Sequence, residues 1–140
     1  MKKVVSIAVI LCLSAASCFA ASQPKKEVKQ GNILYNKGEF QQALKQYEEA
    51  LSRAPDSDVV NFNLGNALYK TGDYGQAIER FEKSLVSDNQ SLEKDASYNL
   101  GNAKYKYGIA QEDSDINIAV DALRQSLRHY ERAMDLDPKD

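Results

Sequence analysis

Residues 63–74 read Asn63-Leu64-Gly65-Asn66-Ala67-Leu68-Tyr69-Lys70-Thr71-Gly72-Asp73-Tyr74, and the pattern recurs on either side. Gly65 and Gly72 are seven apart, as are Gly31 and Gly38 before them and Gly101 and Gly108 after them. The first pair maps onto the second by a shift of 34, and the second onto the third by 36. Other residues keep the same beat: Asn32/Asn66/Asn102, Tyr35/Tyr69, Phe40/Tyr74, Ala43/Ala77, Tyr47/Phe81 and Leu51/Leu85. A fixed period in this range marks a solenoid built from one supersecondary unit.

Each unit reads as two helices. A glycine inside a helix costs about 1 kcal/mol relative to alanine. Gly31, Gly65 and Gly101 sit at one phase, so close packing of a partner helix is predicted there. The second glycine of each pair, Gly38, Gly72 or Gly108, is predicted to close the first helix in a left-handed conformation. In the first unit the second helix is predicted from about Phe40 to Ala54. Ala43, Leu44, Tyr47, Ala50 and Leu51 share one face, and Pro55 ends it. Ala77, Ile78, Phe81, Ser84 and Leu85 repeat that face. The third unit departs: 18 residues separate Gly108 from Ser126, against five from Gly38 to Ala43 and from Gly72 to Ala77. Thirteen residues are therefore inserted. Ile116, Val120, Leu123, Leu127, Tyr130 and Met134 alternate by four and three, which predicts one long helix of about 20 residues. A polar loop over 111–115 precedes it, with Ser114 or Asp115 as its cap.

Phe62–Tyr74 with Ala77, Phe81 and Leu85 resembles a tetratricopeptide repeat (TPR), and the resemblance extends over about 25–140. The first unit carries Ala43, Tyr47, Ala50 and Pro55. The third carries Tyr98-Asn99-Leu100-Gly101-Asn102-Ala103, then Ser126, Tyr130, Ala133 and Pro138. Asn89 stands where a proline would end the second unit, two extra residues fall between Ser87 and Lys94, and Lys104 takes a place that is usually apolar. The resemblance implies an all-α fold: an α-solenoid of three helix-turn-helix units, about 25–57, 58–91 and 92–140, the third with a lengthened second helix. Phe62–Tyr74, Tyr98–Lys106 and the insert before the last helix look similar to the aerotolerance-operon (Bat-type) TPR proteins. That similarity implies an envelope complex with von Willebrand-type domain proteins and a MoxR-type ATPase.

The chain has 140 residues, 18 basic and 20 acidic, a net charge of -2 and one histidine. That balance argues against an electrostatic nucleic-acid binder, and the basic-aromatic run Lys104-Tyr105-Lys106-Tyr107 is too short to reverse it. Residues 1–20 read as a secretory signal. Lys2 and Lys3 precede an apolar stretch from Val4 to about Leu13, and Cys18-Phe19-Ala20 lead to a cut between Ala20 and Ala21. Residues 21–24 are a short linker. Ala15-Ala16-Ser17-Cys18 is a looser lipoprotein signal, which would anchor the chain through Cys18. Cys12 and Cys18, its two cysteines, both lie in this segment, so a cut at Ala20 leaves none for a disulfide. Without Lys2 and Lys3 the net charge is -4.

In TPR proteins the first helix of each unit lines a concave groove, and mapping by phase names the residues there. Phe62 and Tyr98 share one wall position with Val28, and Asn63 and Asn99 lie beside them. Asn32, Asn66 and Asn102 follow, then Tyr35, Tyr69 and Tyr105, then Lys70 and Lys106 at the place of Asn36. Asparagines donate to and accept from a peptide backbone, tyrosines suit recognition surfaces, and lysines favour an acidic or C-terminal group. The same residues also read as inter-repeat packing. A clamp for a terminal carboxylate fits at Asn32 and Asn63. It fails at Val28, Asp95 and Asn99, where basic residues are needed. Glu112-Asp113-Ser114-Asp115 lacks the turn glycine and spaced carboxylates of a calcium loop. His129 falls on the expected solvent side of the long helix, with no nucleophile pattern around it. No enzyme, metal or cofactor is indicated. The expectation is an exported, envelope-facing adaptor that binds a protein or peptide in the groove. The alternative is self-assembly through an uncovered C-terminal hairpin.

Overall fold

A computed structural model describes residues 24–137. Six α-helices follow in order: α1 (Lys25–Asn36), α2 (Phe40–Arg53), α3 (Asp58–Thr71), α4 (Tyr74–Ser84), α5 (Gln90–Gln111) and α6 (Ile116–Leu136). They form three hairpins, α1–α2, α3–α4 and α5–α6, with α3 packed on α2 and α5 on α4. The expected all-α solenoid of three units is observed. The signal segment, its cut at Ala20/Ala21, Cys18 and Pro138 lie outside the described residues. Among the described residues, no helix is long and apolar enough to cross a membrane.

The phased glycines do what their helical cost requires. A Cβ on Gly65 would stand 2.8 Å from the Phe81 ring, and one on Gly101 would stand 2.7 Å from the Tyr130 ring. Gly31 bears on Tyr47 in the same way. Each hairpin is thus an aromatic ring laid on bare backbone. Tyr47 and Phe81, both fully buried, anchor the main core with Leu34, Leu64, Leu68 and Leu100.

Gly38 and Gly72 have φ of +79° and +87° and close the first two turns. The amides of Glu39 and Asp73 reach back to the carbonyls of Leu34 and Leu68 at 2.9 and 3.0 Å, so the last turns are satisfied. Gly108 corrects the expectation. It does not end its helix; α5 runs through it to Gln111. The insertion removes the need to reverse the chain there, and the helix continues. Gly108 instead admits α6: a Cβ would meet the Ala119 carbonyl at 3.1 Å and the Ala122 Cβ at 3.2 Å. Asn89, in place of the expected proline, caps α5 by accepting from the amides of Ser91 and Leu92. That lets α5 begin early.

The added residues therefore lengthen both helices of the third hairpin. Of the two candidate caps, Asp115 is the one used. Its Oδ1 accepts from the amides of Asn117 and Ile118 at 2.9 and 3.2 Å, while the Ser114 hydroxyl turns back to Gln111. The 21-residue α6 agrees with the predicted length. From the apolar stripe, Leu123 and Tyr130 pack on α5, at Gly108 and Gly101. Its buried residues, however, are Ala119, Ala122, Ser126 and Ala133. Close approach to α5 selects small side chains there, and the Ser126 hydroxyl donates to the Gly101 carbonyl at 2.8 Å.

Lys104 and His129 also depart from expectation. Lys104 sits where α3 has Leu68 and is buried. Its Nζ donates to Glu82 Oε1 at 3.0 Å and to Gln125 Oε1 at 2.9 Å, tying α5 to α4 and α6. It is a structural cation rather than part of an exposed basic run. His129 is half-buried rather than on the solvent face. Burial, and then the charge of Lys104, lower its pKa from the usual imidazole value, with Glu82 opposing.

Candidate partner-binding groove

The first helices of the three hairpins lie side by side, α1 against α3 and α3 against α5. Their shared face carries the predicted residues, and the asparagines form an ordered series of bonds. The Tyr47 hydroxyl donates to Asn32 Oδ1 at 2.7 Å, and Asn63 Nδ2 reaches the same oxygen at 3.5 Å. Asn99 Nδ2 donates to Asn66 Oδ1 at 2.8 Å. The Tyr130 hydroxyl donates to Asn102 Oδ1 at 2.8 Å. So all three phased asparagines accept within the protein. Their Nδ2 groups meet no acceptor among the described residues. The structure thus combines the two readings of these residues: the carbonyls hold adjacent helices together, and the amides remain as donors.

The tyrosines divide in the same way. Tyr35 packs edge-on against Phe40, with ring centroids 5.1 Å apart, and Tyr69 packs against Tyr74 at 5.5 Å. Both rings seal a hairpin turn, and burial raises both phenol pKa values. Tyr105 has no such turn to seal, because α5 continues past Gly108, and it is 46% exposed. Tyr98 is 55% exposed and tilts against Tyr130 at 5.7 Å. Phe62 packs on Phe81 at 6.0 Å. Lys70 and Lys106 are exposed on the same face, with Asn36 at their place in α1. Tyr47, behind Asn32, is pushed up to about 12 by burial and then by Tyr35.

Three clefts open on this side of the molecule. The first, of about 240 Å³, is polar and is lined by Asn32, Tyr35, Asn36, Tyr47, Asn63 and Asn66. The second, of about 490 Å³, lies between Tyr69, Asn102, Tyr105, Lys106 and the α6 residues Leu123, Leu127 and Tyr130. The third, of about 810 Å³, is mixed, with Phe62, Tyr98, Tyr130, Ala133 and Met134 on its apolar side and Lys94, Asp95, Asn99 and Asp137 on its polar side. The Lys94–Asp137 ion pair, 2.8 Å long, stands at its rim. Sequence reasoning missed the contribution of α6. The signal was present in Tyr130, which shares with Tyr47 the hydroxyl that Phe81 lacks.

The tetratricopeptide repeat family matches the chain over residues 28–91 and 62–113, more than half of its length. The chain belongs to the tetratricopeptide repeat family. No curated protein sequence matches this TPR protein. Solved TPR structures share its fold. The first TPR domain of Spaghetti, bound to the HSP90 peptide SRMEEVD, has a TM-score of 0.58 at 19% identity. That match covers 84% of this chain and 82% of that one. The N-terminal domain of stress-induced protein-1 from C. elegans has a TM-score of 0.52 at 14% identity, covering 84% and 86%. The Sgt2 TPR domain from Aspergillus fumigatus has a TM-score of 0.51 at 24% identity, covering 79% and 80%. Each is a likeness of fold.

Proposed function

We propose that this TPR protein is a non-enzymatic adaptor of the bacterial envelope that takes a peptide segment of another protein along the face of α1, α3 and α5. The observation that carries the reading is the asparagine series. Asn32, Asn66 and Asn102 each have a satisfied carbonyl and a spare amide on neighbouring helices. Donors held in place by their other half lose little freedom when a peptide carbonyl arrives. The apolar side of the cleft at Tyr98 and Met134 adds room for a hydrophobic side chain. The Spaghetti domain holds an HSP90 peptide, which supports a peptide as the class of ligand. Val28, Asp95 and Asn99 argue against a terminal-carboxylate clamp here. The reading is therefore of backbone recognition with an apolar anchor.

Lys2, Lys3, the apolar stretch that follows and the small residues to Ala20 support export to the periplasm. The likeness to Bat-type TPR proteins supports an envelope complex as the setting. A photo-crosslinking residue at Asn36 or Lys70, both exposed on the groove face, tests the reading in cells. Discrete adducts with a second protein are expected from these positions. None is expected from Lys45, which is exposed on α2. Equal labelling from all three positions would reject the groove as the binding face.

A further inference from the structure

We propose that α5 supplies the groove with an arginine site, in which Asp95, Tyr98 and Asn99 take the guanidinium side chain of a bound peptide segment. The inference rests on the groove reading above and names the side chain that the groove selects.

Residues 95, 98 and 99 are spaced i, i+3 and i+4, so one face of α5 carries all three. They line a single cleft with Phe62 of α3 and Tyr130 of α6. Together they present acceptors beside an aromatic face. The Asp95 carboxylate is exposed and has no hydrogen-bond or ion-pair partner among the described residues. The neighbouring cation Lys94 is engaged by Asp137 at 2.8 Å, and Arg132 by Glu93 at 2.6 Å. Asn99 donates through Nδ2 to Asn66 Oδ1 at 2.8 Å. That bond orients the amide and leaves Asn99 Oδ1 as an acceptor that meets no donor among the described residues. The Tyr98 ring is held by Tyr130 and keeps more than half of its surface open.

The repeat shows that this chemistry belongs to α5. Asp95 holds the place of Lys25 in α1 and Val59 in α3, and Asn99 that of Lys29 and Asn63. Lys25 and Lys29 are exposed. These rows therefore run from cations on α1 to a carboxylate and an amide on α5. Salt screens charges beyond about 8 Å, so each end acts on the side chain nearest to it. A basic side chain is repelled at α1 and drawn to α5, and an acidic one is turned away from Asp95. The charge pattern thus sets the register of the segment as well as its composition.

Arginine rather than lysine follows from shape. A planar guanidinium lies flat on a tyrosine ring, and its forked N–H donors pair with a carboxylate while another reaches a neighbouring amide oxygen. An ammonium is a compact, strongly hydrated charge that would meet Asp95 without stacking. The aliphatic stem of the arginine finds cover on Phe62 and Tyr98. One turn further along α5, the spare amide of Asn102 stands ready for the backbone of the same segment.

Selection of displayed random peptides on the purified protein tests the proposal. About 12 residues suffice, because an extended peptide of that length spans all three first helices. Enriched peptides are expected to carry an arginine. In fluorescence anisotropy with one such peptide, replacing its arginine by glutamate should weaken binding at least about tenfold, and by lysine about threefold. Asp95→Asn should weaken the arginine peptide about five- to tenfold, and Tyr98→Leu about two- to fivefold. Asp95→Lys should reverse the preference in favour of the glutamate peptide. Asp95 is exposed, so helicity and the thermal midpoint should not move with Asp95→Asn. Enriched peptides without arginine, or arginine peptides indifferent to both Asp95 variants, would overturn the proposal. Photo-crosslinking of the same peptide from Asn36 and Lys70 separates the two readings. Adducts with a peptide indifferent to Asp95 keep the groove and reject the arginine site. No enrichment, or no adduct from either position, rejects the groove and the arginine site with it.

Discussion

The first two hairpins and the third are built from one repeat but end differently. In α1–α2 and α3–α4 a left-handed glycine reverses the chain, and the large apolar side chains of the second helix lie beneath the next hairpin. In α5–α6 the equivalent glycine is helical, the turn comes later, and Ile116, Val120, Leu127 and Met134 of the second helix are exposed. The difference shows what the insertion does. It lets the last two helices run longer together on small residues, with Leu123 and Tyr130 kept on α5 while Leu127 and Met134 are left exposed.

The sharpest way to break this comparison is to cut one apolar side chain from each region. Phe81→Ala removes a fully buried ring that lies on Gly65. It should cost about 3–5 kcal/mol. Leu127→Ala, measured by urea unfolding of the dilute protein, should change stability by less than about 0.5 kcal/mol. Similar losses at the two sites would mean that α6 is buried as deeply as α4.

The glycines allow a finer cut. Gly72→Ala forces an L side chain into the left-handed region and should lower stability by about 1 kcal/mol. Gly108→Ala gains helix propensity, which offsets about 1 kcal/mol, while its Cβ presses on the Ala119 carbonyl. Its net loss should be less than half that of Gly72→Ala. A larger loss would show that α5 and α6 cannot give by a few tenths of an ångström.

The smallest expected effect concerns pH. The pKa of His129 is lowered in the fold by burial and Lys104, so the unfolded chain binds its proton first. Stability from this group is complete above the unfolded value of about 6.5 and falls as the pH drops below it. His129→Gln should flatten the dependence of the thermal midpoint between about pH 7 and 5.5, and an unchanged slope would remove His129 as its source.

Much of the fold was legible because its signals are local. Gly38 and Gly72 announce a turn by what their φ permits, and Asp115 announces a helix start by what its carboxylate can accept. Gly31, Gly65 and Gly101 are legible in a second way: a helical glycine is destabilising unless something needs the space, and the aromatics Tyr47, Phe81 and Tyr130 recur in step. Gly108 was misread because its seven-residue spacing is identical to the others, and the contact that makes it helical comes from α6, across the hairpin. The packed face of α6 was hidden for a related reason. Hydrophobicity marks the larger side chains, whereas close helix approach favours Ala119, Ala122 and Ser126. Lys104 could be flagged as out of place, but its partners Glu82 and Gln125 are about twenty residues away on other helices.

The candidate groove followed the same division. Phase alone placed Asn32, Asn66 and Asn102 on one face, but their chemistry depended on neighbours. Asn66 is held by Asn99 and Asn102 by Tyr130, so a series of asparagines becomes a set of bound carbonyls and spare amides.

By itself the sequence determined the repeat, the number of hairpins, most of the caps and which residues share a face. All of these follow from backbone propensity and helical period over a few turns. Tertiary structure alone decided which stripe of α6 is packed, where α5 ends, which atoms of each asparagine remain to donate, and how far Lys104 and His129 are buried. Each of those outcomes depends on the distance between helices, which is set where side chains from separate parts of the chain meet.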